Sequence, residues 1–293
     1  MNDFNDVRQR FYIHEQPVRG EVVQLEQTLN TILKQRDYPQ AIQILLGEML
    51  VATSLLASTM KIDGRISLQI QSSGDLRWAM AECNQDGDLR ALAEFNPSEQ
   101  FNHATDSSTA LKSLQGGVLF INIEPTFGER YQGIIPLEHD TLAKCLMQYY
   151  DLSAQIPTHI VLATNTQRAG GLLLQLLPRT AEEQQHIDED LWPRLRMLAD
   201  TLKAHELTDL DSNEILYRLY HEEELRLPEA EALQFGCTCS RERCENALLQ
   251  IGEQAVHDTL MEQNPIEMDC QFCNQRYSFT AEQALALFGQ RVH

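Results

Sequence analysis

Four of the seven cysteines in this sequence fall into two tight pairs. Cys237 and Cys239 form a C-x-C unit, and 30 residues later Cys270 and Cys273 form a C-x-x-C unit. A C-x-x-C turn can direct two sulfurs at one cation, and a C-x-C unit can do so where its backbone bends. Together they offer four soft ligands, the donor set of a closed tetrahedral zinc site. The spacing therefore predicts that these four residues bind one Zn²⁺ per chain.

The alternatives for these cysteines are unligated core thiols and a thioredoxin-like dithiol. Free cysteine is often buried, but packing alone does not account for two such close pairs. A thioredoxin-like motif needs a βαβ context and a lone pair at a helix start, and neither is evident. Cys83 and Cys145 are expected in the core. Cys244 follows Ser240, a candidate helix N-cap, and the two cysteine pairs leave it without a role as a ligand. His257 stands alone on a helical stretch, so we expect it to have a surface or packing role.

Thiolates around zinc remain nucleophiles, so the predicted site is also a candidate redox centre. An oxidant can convert one thiolate to a sulfenic acid, which condenses with a nearby thiol. Short loops close at a lower entropic cost than long ones, which favours local partners. A C-x-C unit spans up to ~7 Å when extended, at the edge of the disulfide range, so that pair needs a bend. Strain of this kind makes a disulfide easier to reduce, which suits a reversible sensor.

Net charge divides the chain into three parts. The 23 basic and 43 acidic residues give a net charge of −20, and residues 182–236 alone carry −10. We therefore expect a large N-terminal domain over 1–181, an acidic helical linker over 182–236 and a zinc-binding domain over 237–293. The last has 57 residues and few large apolar side chains. A domain this small needs a source of stability besides its apolar core, and a structural zinc supplies about 10–16 kcal/mol of apparent binding free energy. Loss of the metal should unfold it.

Several classes of protein are disfavoured by the same sequence. An acidic chain repels nucleic-acid phosphates, so no nucleic-acid partner is expected. The N-terminal residues lack a basic segment followed by an apolar stretch, and the apolar run 169–178 is too short to span a bilayer. We therefore expect a cytoplasmic protein without membrane contact. No P-loop is present. His139 and Asp140 near Cys145 are better explained as helix positions than as a catalytic triad, so the chain is not expected to be an enzyme.

Hydrophobic periodicity predicts an α+β fold for the N-terminal part, because strands cluster and helices interrupt them. Alternating apolar residues predict strands, including a hairpin around Asp86-Gly87-Asp88, over 65–71, 76–80, 89–95, 117–123, 158–164 and 171–177. Helical spacing of apolar residues appears at 22–35, 41–60 and 137–154. The acidic middle also has helical patterns, with a capping pair at Asp211 and Glu214. Its crowded carboxylates predict a marginally stable segment that needs a packing partner.

These features together resemble a known family. The run Cys-Thr-Cys-Ser-Arg-Glu-Arg-Cys at 237–244 and Cys-Gln-Phe-Cys at 270–273 are similar to those of the redox-regulated 33-kDa heat-shock chaperones of bacteria. The segments 74–78 and 130–136, the chain length and the acidic middle resemble that family too. The resemblance covers the whole chain, with no departure at the four ligand positions.

The resemblance implies a function that spacing alone does not. The reduced protein would bind zinc through Cys237, Cys239, Cys270 and Cys273 and be inactive. Oxidation would form the disulfides Cys237–Cys239 and Cys270–Cys273, release zinc, and unfold the C-terminal domain and the linker. The protein would then form a homodimer and hold unfolding client proteins without ATP. The alternatives are a zinc-ribbon regulatory or binding protein, which the net charge of −4 over residues 237–293 disfavours, and a thiol–disulfide enzyme.

Overall fold

The computed structural model describes residues 6–60, 63–97, 116–178 and 190–289, together with Ser108, Leu111 and Asp188. The chain divides into two compact units, Met1–Gly236 and Cys237–His293. Both units combine helices with antiparallel strands, so the predicted α+β class is confirmed. The four paired cysteines all belong to the smaller unit.

The strands of the larger unit form two sheets, and the smaller unit contributes one hairpin. The first sheet has the order β10-β1-β2-β9-β8, with β11 also paired to β1, and the second has the order β12-β5-β4-β3-β6-β7. The strands are β1 (Val7–Ile13), β2 (Val18–Leu25), β3 (Gly64–Gln71), β4 (Leu76–Asn84), β5 (Asp88–Phe95), β6 (Val118–Pro125), β7 (Tyr131–Pro136), β8 (Thr158–Thr164), β9 (Ala169–Leu176), β10 (Leu225–Arg226), β11 (Glu231–Ala232), β12 (Gln234–Phe235), β13 (Ile266–Asp269) and β14 (Arg276–Phe279).

Helices cover the sheets of the larger unit and pack on the hairpin of the smaller one. They are α1 (Gln27–Leu33), α2 (Gln40–Thr59), α3 (Leu142–Tyr149) continued by a π-helical turn (Tyr150–Ala154), α4 (Leu191–Asp200), α5 (Ala204–Asp209), α6 (Ser212–Tyr220), α7 (Arg241–Ile251), α8 (Glu253–Glu262) and α9 (Ala281–Gly289).

Helix α2 is the centre of the larger unit. It contacts strands of both sheets, and its side chains join theirs in one apolar core. By length and composition it could cross a membrane, with a mean hydropathy of 1.7, but 83% of that stretch is buried inside the protein. Gly170 and Gly171 let helices approach β9 from both faces, because a Cβ on Gly171 would lie 2.5 Å from Val51 and one on Gly170 would meet the carbonyl of Leu207.

The acidic middle packs on the face of the first sheet opposite α2. Apolar residues of α4, α5 and α6 form a second core with β1, β2 and β9. Asp211 caps α6, and its carboxylate accepts a hydrogen bond from the amide of Glu214, as the sequence predicts. Arg194 lies 2.9 Å from Asp188 and 2.9 Å from Glu223. One arginine thus offsets part of the carboxylate repulsion in this segment.

The residues that follow, 224–236, form a strap over the edges of both sheets. Strands β10 and β11 pair with β1 of the first sheet, and β12 pairs in parallel with β5 of the second. Leu233 enters the main core. The buried guanidinium of Arg8 forms an ion pair with Glu231, donating from both Nε and Nη2 to one carboxylate oxygen. The strap is therefore held by short strands, one apolar side chain and one ion pair.

Two of the predicted helices differ from the structure. The expected helix over 22–35 is wrong at its start, because residues up to Leu25 belong to strand β2 and the helix begins at Gln27. The helix expected over 137–154 begins at Leu142, where the hydroxyl of Thr141 accepts a hydrogen bond from the amide of Lys144. The other predicted elements named above match strands or helices of the same type to within one residue at the ends that were predicted too long.

Candidate metal centre

The hairpin β13–β14 carries one cysteine pair at its turn. Cys270 follows the last residue of β13, and its amide donates to the carbonyl of Gln275 at 2.9 Å. The amide of Asn274 then donates back to the carbonyl of Cys270 at 2.8 Å. Asn274 adopts a left-handed conformation with φ of 56°, which asparagine tolerates better than most residues. This tight turn keeps Cys270 and Cys273 on the same side of the hairpin end.

The other pair lies just before helix α7. Ser240 caps this helix, and its hydroxyl accepts a hydrogen bond from the amide of Arg243 at 3.2 Å. The guanidinium of Arg243 donates to the hydroxyl of Thr238 at 2.6 Å, which holds the bend between the two cysteines. Arg241 stacks over the ring of Phe279 with its Cζ 4.2 Å from the ring centroid. These contacts fix the start of α7 against strand β14.

The four sulfur atoms converge on one point. All of them lie within 4.8 Å of one another. Cys237 Sγ is 3.6 Å from Cys270 Sγ, and Cys239 Sγ is 3.4 Å from Cys273 Sγ. A tetrahedral zinc–thiolate site with Zn–S bonds of ~2.3 Å places its sulfurs about 3.8 Å apart. The four side chains are half-buried, and the arrangement fits a soft divalent cation.

Three of the sulfurs have pKa values that depend on burial and on their neighbours. Partial burial by itself raises the pKa of Cys239, but hydrogen bonds from Tyr277 and from the other cysteines outweigh it and lower that pKa to about 7. Partial burial raises the pKa of Cys237 and of Cys273, and the hydrogen bond with the sulfur of Cys270 raises both further. Without a cation, ionisation of one of these three thiols therefore opposes ionisation of its neighbours. A divalent cation would remove that opposition.

The core beneath the site is small. Among the residues described up to Gly289, five buried apolar side chains form it, with Cys244 and a few half-buried side chains packed around them: Leu248, Val256, Ile266, Phe279 and Ala284. A core of this size gives little stability to an isolated unit. The site and the core are thus expected to depend on each other.

Comparison with known proteins covers almost the whole chain. A family model described as Hsp33 protein matches residues 6–280. The chain belongs to the Hsp33 family of chaperones. A Pseudomonas aeruginosa protein named 33 kDa chaperonin is 44% identical to this Hsp33 chain over 97% of it and 95% of the relative. One of the same name from Neisseria meningitidis serogroup A is 41% identical over 98% and 93%.

A solved structure supports the same Hsp33 fold. The crystal structure of a 33 kDa chaperonin from Thermotoga maritima superposes with a TM-score of 0.83 over 98% of this chain and 99% of the other. At 20% sequence identity this likeness establishes the fold alone. The four clustered cysteines all lie within the range that the family model matches.

The remaining candidates in this Hsp33 chain lie elsewhere. Cys83 and Cys145 are buried in the core of the larger unit, and burial raises the pKa of Cys83 to about 11, so neither is a ready nucleophile. Cys244 packs against the small core and is not one of the four clustered sulfurs. His257 is exposed on α8.

One hydrogen bond of the site is not predicted from the sequence. Tyr277 donates a hydrogen bond from its hydroxyl to Cys239 Sγ at 3.3 Å. In the sequence this tyrosine is one apolar residue among several that could fill the small core. Alternation along β14 would have placed Tyr277 and Phe279 on one face, but no spacing rule predicts a donor to sulfur.

Proposed function

We propose that this chain is a redox-regulated, ATP-independent holdase whose switch is a zinc site formed by Cys237, Cys239, Cys270 and Cys273. The observation that carries the proposal is the convergence of four sulfurs at tetrahedral spacing in a unit with a small core. Membership of the Hsp33 family adds the chaperone activity. In the reduced state Zn²⁺ would bind the four thiolates, offset their repulsion and stabilise the unit.

The switching reaction we propose uses hydrogen peroxide as the oxidant. A cysteine sulfur attacks one peroxide oxygen, the O–O bond breaks, hydroxide leaves and a sulfenic acid forms. A second cysteine sulfur then attacks the sulfenic sulfur, and a second hydroxide leaves as the disulfide forms. Each disulfide transfers two electrons from sulfur to peroxide. The expected pairs are Cys237–Cys239 and Cys270–Cys273, which leave no thiolate ligands for the metal.

Loss of the metal would then propagate to the preceding segment. Residues 182–236 are proposed to act as a linker of conditional stability. Their exposed ion pairs contribute little stability, and the strap at their end is held by strands of only two residues each. Release of this segment would expose apolar surface that binds unfolded or partly unfolded proteins. We also propose that the oxidised protein forms a homodimer and acts in the cytoplasm.

The test measures zinc, thiols and client protection on the same sample. Peroxide with mild heat should release about one zinc per chain, oxidise four thiols and suppress aggregation of a thermally unfolding client. Cys270→Ser should lose the zinc, whereas Cys244→Ser, a matched change in the same unit, should keep both the zinc and the switch. Zinc release and disulfide formation without any client protection would refute the holdase proposal.

A further inference from the structure

The hydroxyl of Tyr277 links the two halves of the cysteine cluster. Tyr277 lies on β14 opposite Met268 of β13, so it belongs to the hairpin that carries Cys270 and Cys273. Its hydroxyl donates instead to Cys239, a member of the other pair, at 3.3 Å. One strand of the hairpin thus supplies a hydrogen-bond donor to a sulfur that the hairpin itself does not carry.

This donor differs in kind from those at two neighbouring sulfurs. Cys237 and Cys273 accept hydrogen bonds from main-chain amides, those of Cys239 and Gln275 respectively. Main-chain donors are fixed by the turn, and only a proline substitution, which also changes the backbone, removes one. The donor to Cys239 is a side chain, and replacing tyrosine by phenylalanine removes it while the ring remains in place.

A hydrogen bond to a thiolate lowers its reactivity. The donor withdraws electron density from the sulfur and stabilises the charged form, and this stabilisation is partly lost as the sulfur bonds to an oxidant. Donors around metal-bound ligands tune a site in the same way. The Tyr277 contact should therefore stabilise the reduced state and slow its oxidation.

We propose that Tyr277 is a positioning residue that sets the oxidant threshold of the switch through its hydrogen bond to Cys239. The inference rests on the proposed zinc–thiol switch and names a residue that regulates it. The oxidation step is the attack of the Cys239 sulfur on hydrogen peroxide, with cleavage of the O–O bond and departure of hydroxide. The phenol keeps its proton throughout and acts only as a donor.

The first experiment compares the full chain with its Tyr277→Phe variant, both reduced and loaded with zinc. Thiol loss and zinc release are followed with time after addition of hydrogen peroxide. A charge-assisted hydrogen bond that is about half lost in the transition state corresponds to an increase in the oxidation rate of roughly 3- to 10-fold in the variant. Tyr217→Phe, which removes the hydroxyl of a 71% exposed tyrosine in the other unit, is the control and should oxidise at the wild-type rate.

A second measurement distinguishes a change in the electron density of the thiolates from a general loss of metal binding. With Co²⁺ in place of zinc, the sulfur-to-metal charge-transfer band reports the electron density on the thiolates. Tyr277→Phe should shift this band to lower energy while the metal content of the chain stays unchanged. A variant that was only loosened would lose metal without a shift of the band in the population that still binds it.

A third variant covers the case in which Tyr277→Phe does not hold metal. Replacing Tyr277 by 3-fluorotyrosine keeps the ring and the hydroxyl but makes the hydroxyl a stronger donor. At a pH where the phenol stays protonated, this variant should oxidise more slowly than wild type. Wild-type oxidation rates together with an unshifted cobalt spectrum in Tyr277→Phe would overturn the inference, as would faster oxidation of the 3-fluorotyrosine chain.

These readouts do not involve client proteins. Failure of the holdase proposal would appear as zinc release without client protection, whatever the rate of oxidation. Failure of the Tyr277 inference would appear as oxidation kinetics insensitive to the donor, even in a chain that protects clients fully.

Discussion

The ion pair between Arg8 and Glu231 gives a direct means of testing how firmly the strap is held. Glu231→Gln keeps the size of the side chain and removes its charge. The guanidinium of Arg8, whose side chain is 6% exposed, then keeps its hydrogen bond to the carbonyl of Ser54 at 3.1 Å but loses its charged partner. The change acts on the strap and leaves the rest of the larger unit with its contacts.

The expected cost follows from the burial of the two partners. An exposed pair contributes about 0–1 kcal/mol, and breaking a fully buried one costs about 3–5 kcal/mol. Here one side chain is almost fully buried and the other is 50% exposed. The expected cost therefore lies between these two ranges. Because glutamine can still accept a hydrogen bond, we expect the free energy of detaching the strap to fall by about 1.5 kcal/mol. This corresponds to a roughly 10-fold increase in the population of detached strap.

Amide hydrogen exchange of the reduced, zinc-loaded protein measures this population. The amides of Leu233, Gln234 and Gly236 donate to carbonyls of the larger unit at 2.9, 3.1 and 3.0 Å, and should exchange roughly 10-fold faster in Glu231→Gln. Glu229→Gln, at an exposed position on the same segment, is the matched control and should leave them unchanged. Equal exchange in the two variants would show that the ion pair does not hold the strap.

Three further outcomes are expected. Removing zinc from the reduced protein with a chelator should unfold residues 237–289 and leave the larger unit with a cooperative thermal transition, as followed by NMR and calorimetry; a folded small unit after chelation would contradict this. Ser240→Ala should lower the stability of the small unit by about 1 kcal/mol through loss of the α7 cap, measured by the chelator concentration that releases half of the zinc, with Ser278→Ala as the control. Burial lowers the pKa of His159, and Asp200 offsets this only in part. The unfolded chain therefore takes up a proton near pH 6.5 that the folded chain does not, so the free energy of unfolding should fall as pH drops below about 6.5. Urea titrations at several pH values should show a smaller fall for His159→Asn.

Several elements that the sequence predicts correctly have an apolar pattern whose period or length fits one kind of element. Strand β3 alternates Ile66, Leu68 and Ile70 with polar residues, and helix α2 has apolar residues over its full length. For these elements the local pattern and the tertiary environment agree. The cysteine pairs are a similar case, because their spacing alone predicts the cluster of four sulfurs that the structure brings together.

Strands β1 and β2 could not be recognised in this way. Both faces of the first sheet are covered, so Val22, Val23 and Leu25 are all buried and form a run that also fits a helix. Arg8 and Arg10 lie within β1, and their charge argues against burial. The charge is compensated by Glu231, more than 200 residues away, and by Glu21 at 2.5 Å on the neighbouring strand. Such long-range pairing leaves no local signal.

The strap and the Tyr277 contact were missed for related reasons. Strands β10, β11 and β12 have two residues each, too few to show any periodicity. A hydroxyl that donates to sulfur depends on the path of a hairpin and not on spacing along the chain. In both cases the decisive partner lies on a distant part of the sequence.

The apolar character of α2 also has a consequence during synthesis. The helix emerges from the ribosome before strands β3, β4, β5, β8 and β9, which contact it in the finished unit. At about 5–20 residues per second, the ribosome takes on the order of ten seconds to reach Leu176 at the end of β9. Until then α2, which by length and composition could cross a membrane, lacks part of its covering strands. A chain of a chaperone family thus has a long apolar helix that is synthesised before all but one of the strands that contact it.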